Sequence, residues 1–175
     1  MKRKLRVVSR FALIGLIAGS LGFATGIVAQ TDSAKKIDTA KSSVSEKDQK
    51  FIKKAVKGGA MEVELGTLAS QNATSDDVKA FGKRMVADHS KATDELKSIA
   101  EKKGAKVPAK KPSVKWNSDK EYMDMMVKDH EKNLAEFQVQ ARDGDDAELK
   151  EFAEKTAKVI EQHLTLAKET RDKLK

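Results

Sequence analysis

The sequence predicts an all-α protein, a four-helix bundle with a long connection between its second and third helices. Three observations carry this. Charged residues make up 35% of the 175-residue chain, aromatics 5%, and there are 2 prolines, a balance that suits helices. Apolar residues recur at helical spacing in four stretches, each bounded by capping and stop signals. A five-residue stretch occurs twice, as Met85-Val86-Ala87-Asp88-His89 and Met126-Val127-Lys128-Asp129-His130. In both copies the histidine falls on the apolar stripe.

Residues 1–29 read as a signal peptide. Lys2, Arg3, Lys4, Arg6 and Arg10 form a basic start, and Phe11 to Val28 is apolar and uncharged. Small residues at its end favour cleavage after Ala29, or after Gly26, over a retained membrane anchor. The expected location is the periplasm or cell envelope, with no membrane span left after cleavage. The leader holds five of the 35 basic residues and no acidic ones, so the remaining chain is near balance at 30 against 27. No basic block interleaves with aromatics, which argues against nucleic acid as a partner. There is no cysteine, so neither disulfides nor a lipidated cysteine anchor is available. Residues 30–44 are polar and read as a disordered spacer, and the bundle domain occupies 45–175.

The first helix is expected from Ser45 to about Gln71, with Ser45 and Asp48 resembling a capping box. Phe51, Ile52, Ala55, Val63 and Ala69 share its apolar face, with Gly59, Glu62 and Gly66 inside that face. Two interior glycines disfavour helix by roughly 1 kcal/mol each against Ala, and they make sense where a neighbour comes close. After the turn at 72–74, Ser75 should cap the second helix. Its stripe is Val78, Gly82, Met85, Val86, His89, Ala92, Leu96 and Ile99, with Gly104 as its stop. The third helix begins with Ser118 and Glu121 as a capping box and carries Met123, Met126, Val127, His130, Leu134, Phe137 and Ala141. Gly144 ends it and Asp145 is the expected cap of the fourth. That helix presents Leu149, Phe152, Ala153, Thr156, Ile160, His163, Ala167 and Leu174.

The segment from Ala105 to Trp116, with Pro108 and Pro112, decides the topology. About 14 extended residues reach roughly 45 Å, the whole length of helices near 40 Å. Helices two and three can then run parallel. That arrangement brings Glu62, His89, His130 and His163 into a slab about 10 Å thick by rise per residue, against about 15 Å for simple up-down connectivity. Parallel second and third helices are the ferritin-like arrangement. Trp116 should cover one end of the core.

The chain resembles a bacterial family of exported proteins of unknown function, commonly labelled "predicted outer membrane protein" and assigned a ferritin-like helical bundle. The resemblance rests on Phe51, Ala55, Gly58-Gly59, Glu62, Leu65-Gly66 and Leu68-Ala69, on the two Met-Val-x-Asp-His stretches, and on His163-Leu164. It spans residues 46–174. It implies a fold and a compartment but no activity. An integral outer-membrane barrel does not fit, because the chain has no alternating strands.

All three histidines of the chain and Glu62 face one core, one from each helix. Glu62, His89, His130 and His163 are the candidate ligands of one divalent metal, with Zn, Cu, Mn and Fe all compatible. Asp88 and Asp129 lie about 100° around from their histidines and suit outer partners of a neighbouring helix's imidazole. Met85 and Met126, one turn before His89 and His130, would lean the site toward copper if they were ligands, but they also serve as packing filler. Ferritin-like di-iron sites use Glu-x-x-His on two helices. Here Val86, Val127 and Ile160 stand three before the histidines, so a carboxylate-bridged di-iron centre lacks ligands. The other reading is a structural network, in which the histidines pair with Glu62 and the aspartates and fix helix register. The chain would then be an envelope stress-protection or partner-binding module. Its envelope partner is not identified by the sequence, and a homo-oligomer is compatible with it. No Cys nucleophile, Gly-rich phosphate loop or Ser/His/Asp pattern is present, so no catalytic residue is assigned.

Overall fold

The computed structural model describes residues 44–110 and 112–174. The expected signal peptide, 1–29, and residues 30–43 of the expected spacer lie outside the described residues. Four helices follow in order: α1 Glu46–Asn72, α2 Asp76–Lys102, α3 Asp119–Asp143 and α4 Ala147–Asp172. None is long and apolar enough to cross a membrane.

Side-chain bonds between helices give the directions. On α1 and α3, Asp48 meets Gln140 at 2.7 Å, Lys54 meets Glu136 at 3.0 Å and Glu62 meets Asn133 at 3.0 Å. On α2 and α4, Asp77 meets Lys173, Asp88 meets His163 and Glu95 meets Lys155, at 2.9, 2.8 and 2.9 Å. Both pairs are antiparallel. Short turns also join α1 to α2 and α3 to α4, which makes those neighbours antiparallel hairpins. Helices α2 and α3 therefore run parallel, and residues 103–118 cross the length of the bundle. This is the ferritin-like four-helix arrangement.

The ends of the helices show what local sequence does and does not decide. Ser45 and Ser118 accept from the amides of Asp48 and Glu121 at 3.2 Å each, as expected of helix caps. Gly104 adopts φ 62° and Ala105 N–H reaches back to the Ala100 carbonyl at 2.8 Å, a glycine-terminated helix end. Three expectations are corrected. Ser75 stands at the start of α2 but makes no side-chain cap bond; Asp119 of the other hairpin accepts from Ser75 N–H at 2.7 Å and from Thr74 N–H instead. The cap of α4 is Asp146, not Asp145, and accepts from Leu149 N–H at 3.0 Å. Asp48 does not close a capping box. Its fully buried carboxyl accepts from Gln140 and from the amides of Asp145 and Asp146. Each hairpin turn is thus clasped by an aspartate from the first turn of the other hairpin.

Two apolar clusters fill the interior. One gathers Leu65, Phe81, Met85, Met123, Met126 and Ala167, with Trp116 packed on it beside Tyr122, ring centres 5.5 Å apart. The other gathers Phe51, Ile52, Leu96, Ile99, Leu149 and Phe152. Val56 and Leu65 are buried on α1 where Ala55 and Val63 were expected, and the last two are half-buried. Phe81 and Tyr122 are buried too, outside the expected stripes. Helices α1 and α2 touch backbone to backbone where Gly66 meets Gly82. A methyl group placed on either glycine would lie 2.7 Å from the other's carbonyl oxygen.

Candidate metal centre

Between the two clusters sits a polar layer. Glu62, His89, His130 and His163 are all buried, one from each helix. The ring centres of the three histidines form a near-equilateral triangle, 5.6, 5.2 and 5.6 Å on a side. The ordering follows from the parallel α2 and α3. Each histidine lies near the middle of its helix's apolar stripe, and the crossover brings those middles to one level.

Each ring has one nitrogen engaged and one free. His89 Nδ1 donates to Glu62 Oε2 at 3.0 Å. His163 Nε2 donates to Asp88 Oδ2 at 2.8 Å. His130 Nδ1 lies 2.8 Å from the Met126 carbonyl oxygen, which only accepts, so that nitrogen carries the proton. The remaining nitrogens, His89 Nε2, His130 Nε2 and His163 Nδ1, are buried and have no hydrogen-bond partner among the described residues. In neutral rings with these tautomers all three are bare lone pairs. One ring nitrogen from each histidine lies within 4.8 Å of the others, a group that could hold a metal ion.

The electrostatics fit such an ion. Burial holds His130 below its ordinary pKa, and it pushes His163 down to about 4. Those two rings are therefore neutral at neutral pH and free to ligate. Burial pushes Glu62 up, but the His89 hydrogen bond and the surrounding imidazoles together leave the carboxyl below its ordinary value. Asn133 donates to Glu62 Oε1 at 3.0 Å. Among the described residues the basic side chains within 4 Å of Glu62 are the imidazoles of His89 and His130, at 3.0 and 3.8 Å, with no Lys or Arg. An anionic carboxylate in a low-dielectric interior calls for a nearby cation.

The arrangement differs in detail from a four-ligand set of Glu62, His89, His130 and His163. Glu62 binds the outer nitrogen of His89, so it supports a ring and stands outside the triad. Asp88 does the same for His163, across from the neighbouring helix, and is itself paired with Arg84 at 3.3 Å. Asp129 bonds to no imidazole among the described residues; burial and the Glu62 charge raise its pKa. Met85 and Met126 are fully buried in the first cluster as packing. Two neighbours escaped the sequence reading. Asn133 lies three residues after His130, a spacing that puts it on the same face. Thr93 lies one turn after His89 in the same way.

A cavity of about 30 Å³ borders the site and is lined in part by Gly59, Glu62, His89, Thr93, Asn133 and Thr156. Its outer wall includes Lys54 and Glu136, which pair at 3.0 Å. A methyl group on Gly59 would lie 2.4 Å from Thr93 Oγ1, so the glycine leaves space for that hydroxyl.

The model of a family described as "Domain of unknown function (DUF4142)" matches residues 33–170. The chain belongs to this DUF4142 family. Among solved structures it is similar to a two-domain protein from Anabaena variabilis containing DJ-1/ThiJ/PfpI-like and ferritin-like domains. That likeness has a TM-score of 0.58 at 14% identity and covers 75% of this chain. The DUF4142 chain spans 39% of that larger protein, and the likeness speaks to the ferritin-like fold alone. No curated protein matches it.

Proposed function

We propose that this chain is an exported cell-envelope protein that binds one divalent metal ion through His89, His130 and His163. Glu62 and Asp88 orient two of the rings from outside, and the Met126 carbonyl orients the third. The carrying observation is that each of the three buried histidines has an unpartnered ring nitrogen, in a trio whose rings each bring one nitrogen within 4.8 Å of the others. A purely structural network would pair both nitrogens of a buried imidazole, because an unpaired buried polar atom costs about 1–3 kcal/mol. Metal-bound histidines have the opposite habit, with the second ring nitrogen donating to a carboxylate or carbonyl. Three imidazoles suit Zn, Cu or Fe better than Mn, which prefers oxygen ligands. Export is supported by the basic start and apolar run of residues 1–29.

Elemental analysis of the untagged chain, expressed with its own N-terminus, tests the metal. Near-stoichiometric metal is expected, absent from His89→Ala and His130→Ala. A metal-free protein after exposure to Zn, Cu, Mn and Fe(II) rejects the reading and leaves the histidines structural. Cell fractionation with N-terminal sequencing tests export, with Gln30 as the expected new first residue.

A further inference from the structure

We infer that the metal keeps one coordination position open toward the cavity beside Thr93 and Thr156, and that this position takes a small exchangeable ligand: water, displaced by a compact anion. The inference rests on the metal reading above and adds what that site binds.

The two sides of the histidine layer differ in chemistry. On one side, one turn from each histidine, stand Met85, Met126 and Ala167, all fully buried in an apolar cluster. That side is closed by apolar packing, and the one unpartnered side-chain polar atom described within that cluster is the Tyr122 hydroxyl, a single group against the several on the other side. On the other side, Gly59 precedes Glu62 by one turn, Thr93 follows His89 by one turn, and Asn133 follows His130 by three residues. Thr156 precedes His163 by two turns. These four small or polar residues line the cavity together with His89 and Glu62. Thr93 and Thr156 are buried. Thr67 and Thr165 donate to helix carbonyls four residues back, at 2.8 and 3.1 Å. The hydroxyls of Thr93 and Thr156 have no such bond among the described residues, so they are available to a guest.

Size and stoichiometry agree. Three imidazoles leave a four-coordinate metal one ligand short, the pattern of open rather than closed sites. A cavity of about 30 Å³ holds about two waters, given a need of roughly 10–15 Å³ each by this kind of measure. That space suits a water or a diatomic to triatomic ion. Glu62 at its wall accepts hydrogen bonds, which favours bound water. A compact anion binds through the metal, with the threonine hydroxyls as donors.

The test is azide titration of the full-length chain loaded with Co(II), with bound cobalt measured on the same samples. One equivalent of cobalt and a saturable change of its visible spectrum are expected. Thr93→Val combined with Thr156→Val, which keeps side-chain volume, should weaken azide roughly tenfold, the worth of one or two lost hydrogen bonds. Bound cobalt whose spectrum ignores azide would overturn the open position while leaving the metal site intact. An azide response that the double variant leaves unchanged would overturn its placement in this cavity. A protein that takes up no cobalt overturns the metal reading itself, and this inference with it.

Discussion

Each buried imidazole here has a division of labour between its nitrogens, and that division predicts how single substitutions behave. Glu62→Gln keeps shape but removes the charge that holds His89 Nδ1–H at 3.0 Å. It should weaken metal retention about 10–100-fold, the usual effect of losing an outer-sphere partner. Chelator competition reads this directly, and unchanged affinity would show that the carboxylate does not support the ring. Asp129→Asn serves as the contrast. Asp129 is held above its ordinary pKa by burial and by Glu62, and no imidazole depends on it, so metal affinity should not fall. The inward placement of Glu62 and the three histidines was legible, because a 100° step per residue decides which face a side chain takes. Which nitrogen faces the centre was not legible. That depends on the Met126 carbonyl, Asp88 and Glu62 arriving at particular distances, and Asp88 and Asp129 look alike in the repeated motif.

At the scale of helices and turns, the long-range clasps matter more than the local caps. Asp119 accepts from Thr74 N–H, Thr74 Oγ1 and Ser75 N–H. Partial burial raises its pKa, but those backbone and side-chain bonds outweigh burial and leave it lowered. A lowered carboxyl pKa contributes stability that is fully present above the unfolded value and is lost as pH falls through the folded one. Wild type should therefore melt above Asp119→Asn by a constant margin near neutrality, and the margin should shrink below about pH 4. A margin independent of pH would mean the charge contributes nothing. The contact of Gly66 with Gly82 makes a second prediction. Gly82→Ala raises helix propensity, yet its methyl meets a backbone carbonyl at 2.7 Å. Overpacking of about 1–3 kcal/mol should win over the gain of about 1 kcal/mol, and a denaturant midpoint at or above wild type would contradict it. Ser45 and Ser118 were readable as caps because their partners are three residues away. Asp48 and Asp119 were not, since their partners lie in the opposite hairpin.

For the whole molecule, the crossover is what turns four separate helix midpoints into one site. Its length, over residues 103–118, was visible in the sequence, and so was the parallel course of α2 and α3 that it permits. The cavity was not, because it arises from Gly59, Thr93, Asn133 and Thr156 meeting across four helices. If the triad holds a metal as proposed, this topology couples that metal to global stability. The triad takes His89 from the first hairpin and His130 and His163 from the second, so the hairpins cannot separate without breaking the coordination sphere. The unfolded chain has no comparable site. Binding to the folded state alone then adds about 4 kcal/mol when free metal is a thousandfold above Kd. For a domain of this size that raises Tm on the order of 10 °C. Differential scanning calorimetry with and without metal should show that rise in wild type. His163→Ala, which leaves His130 within one hairpin and His89 in the other, should lose most of it. If metal raised both proteins equally, the ion would be binding the exposed carboxylates and not the core, and the triad would have no part in holding the hairpins together.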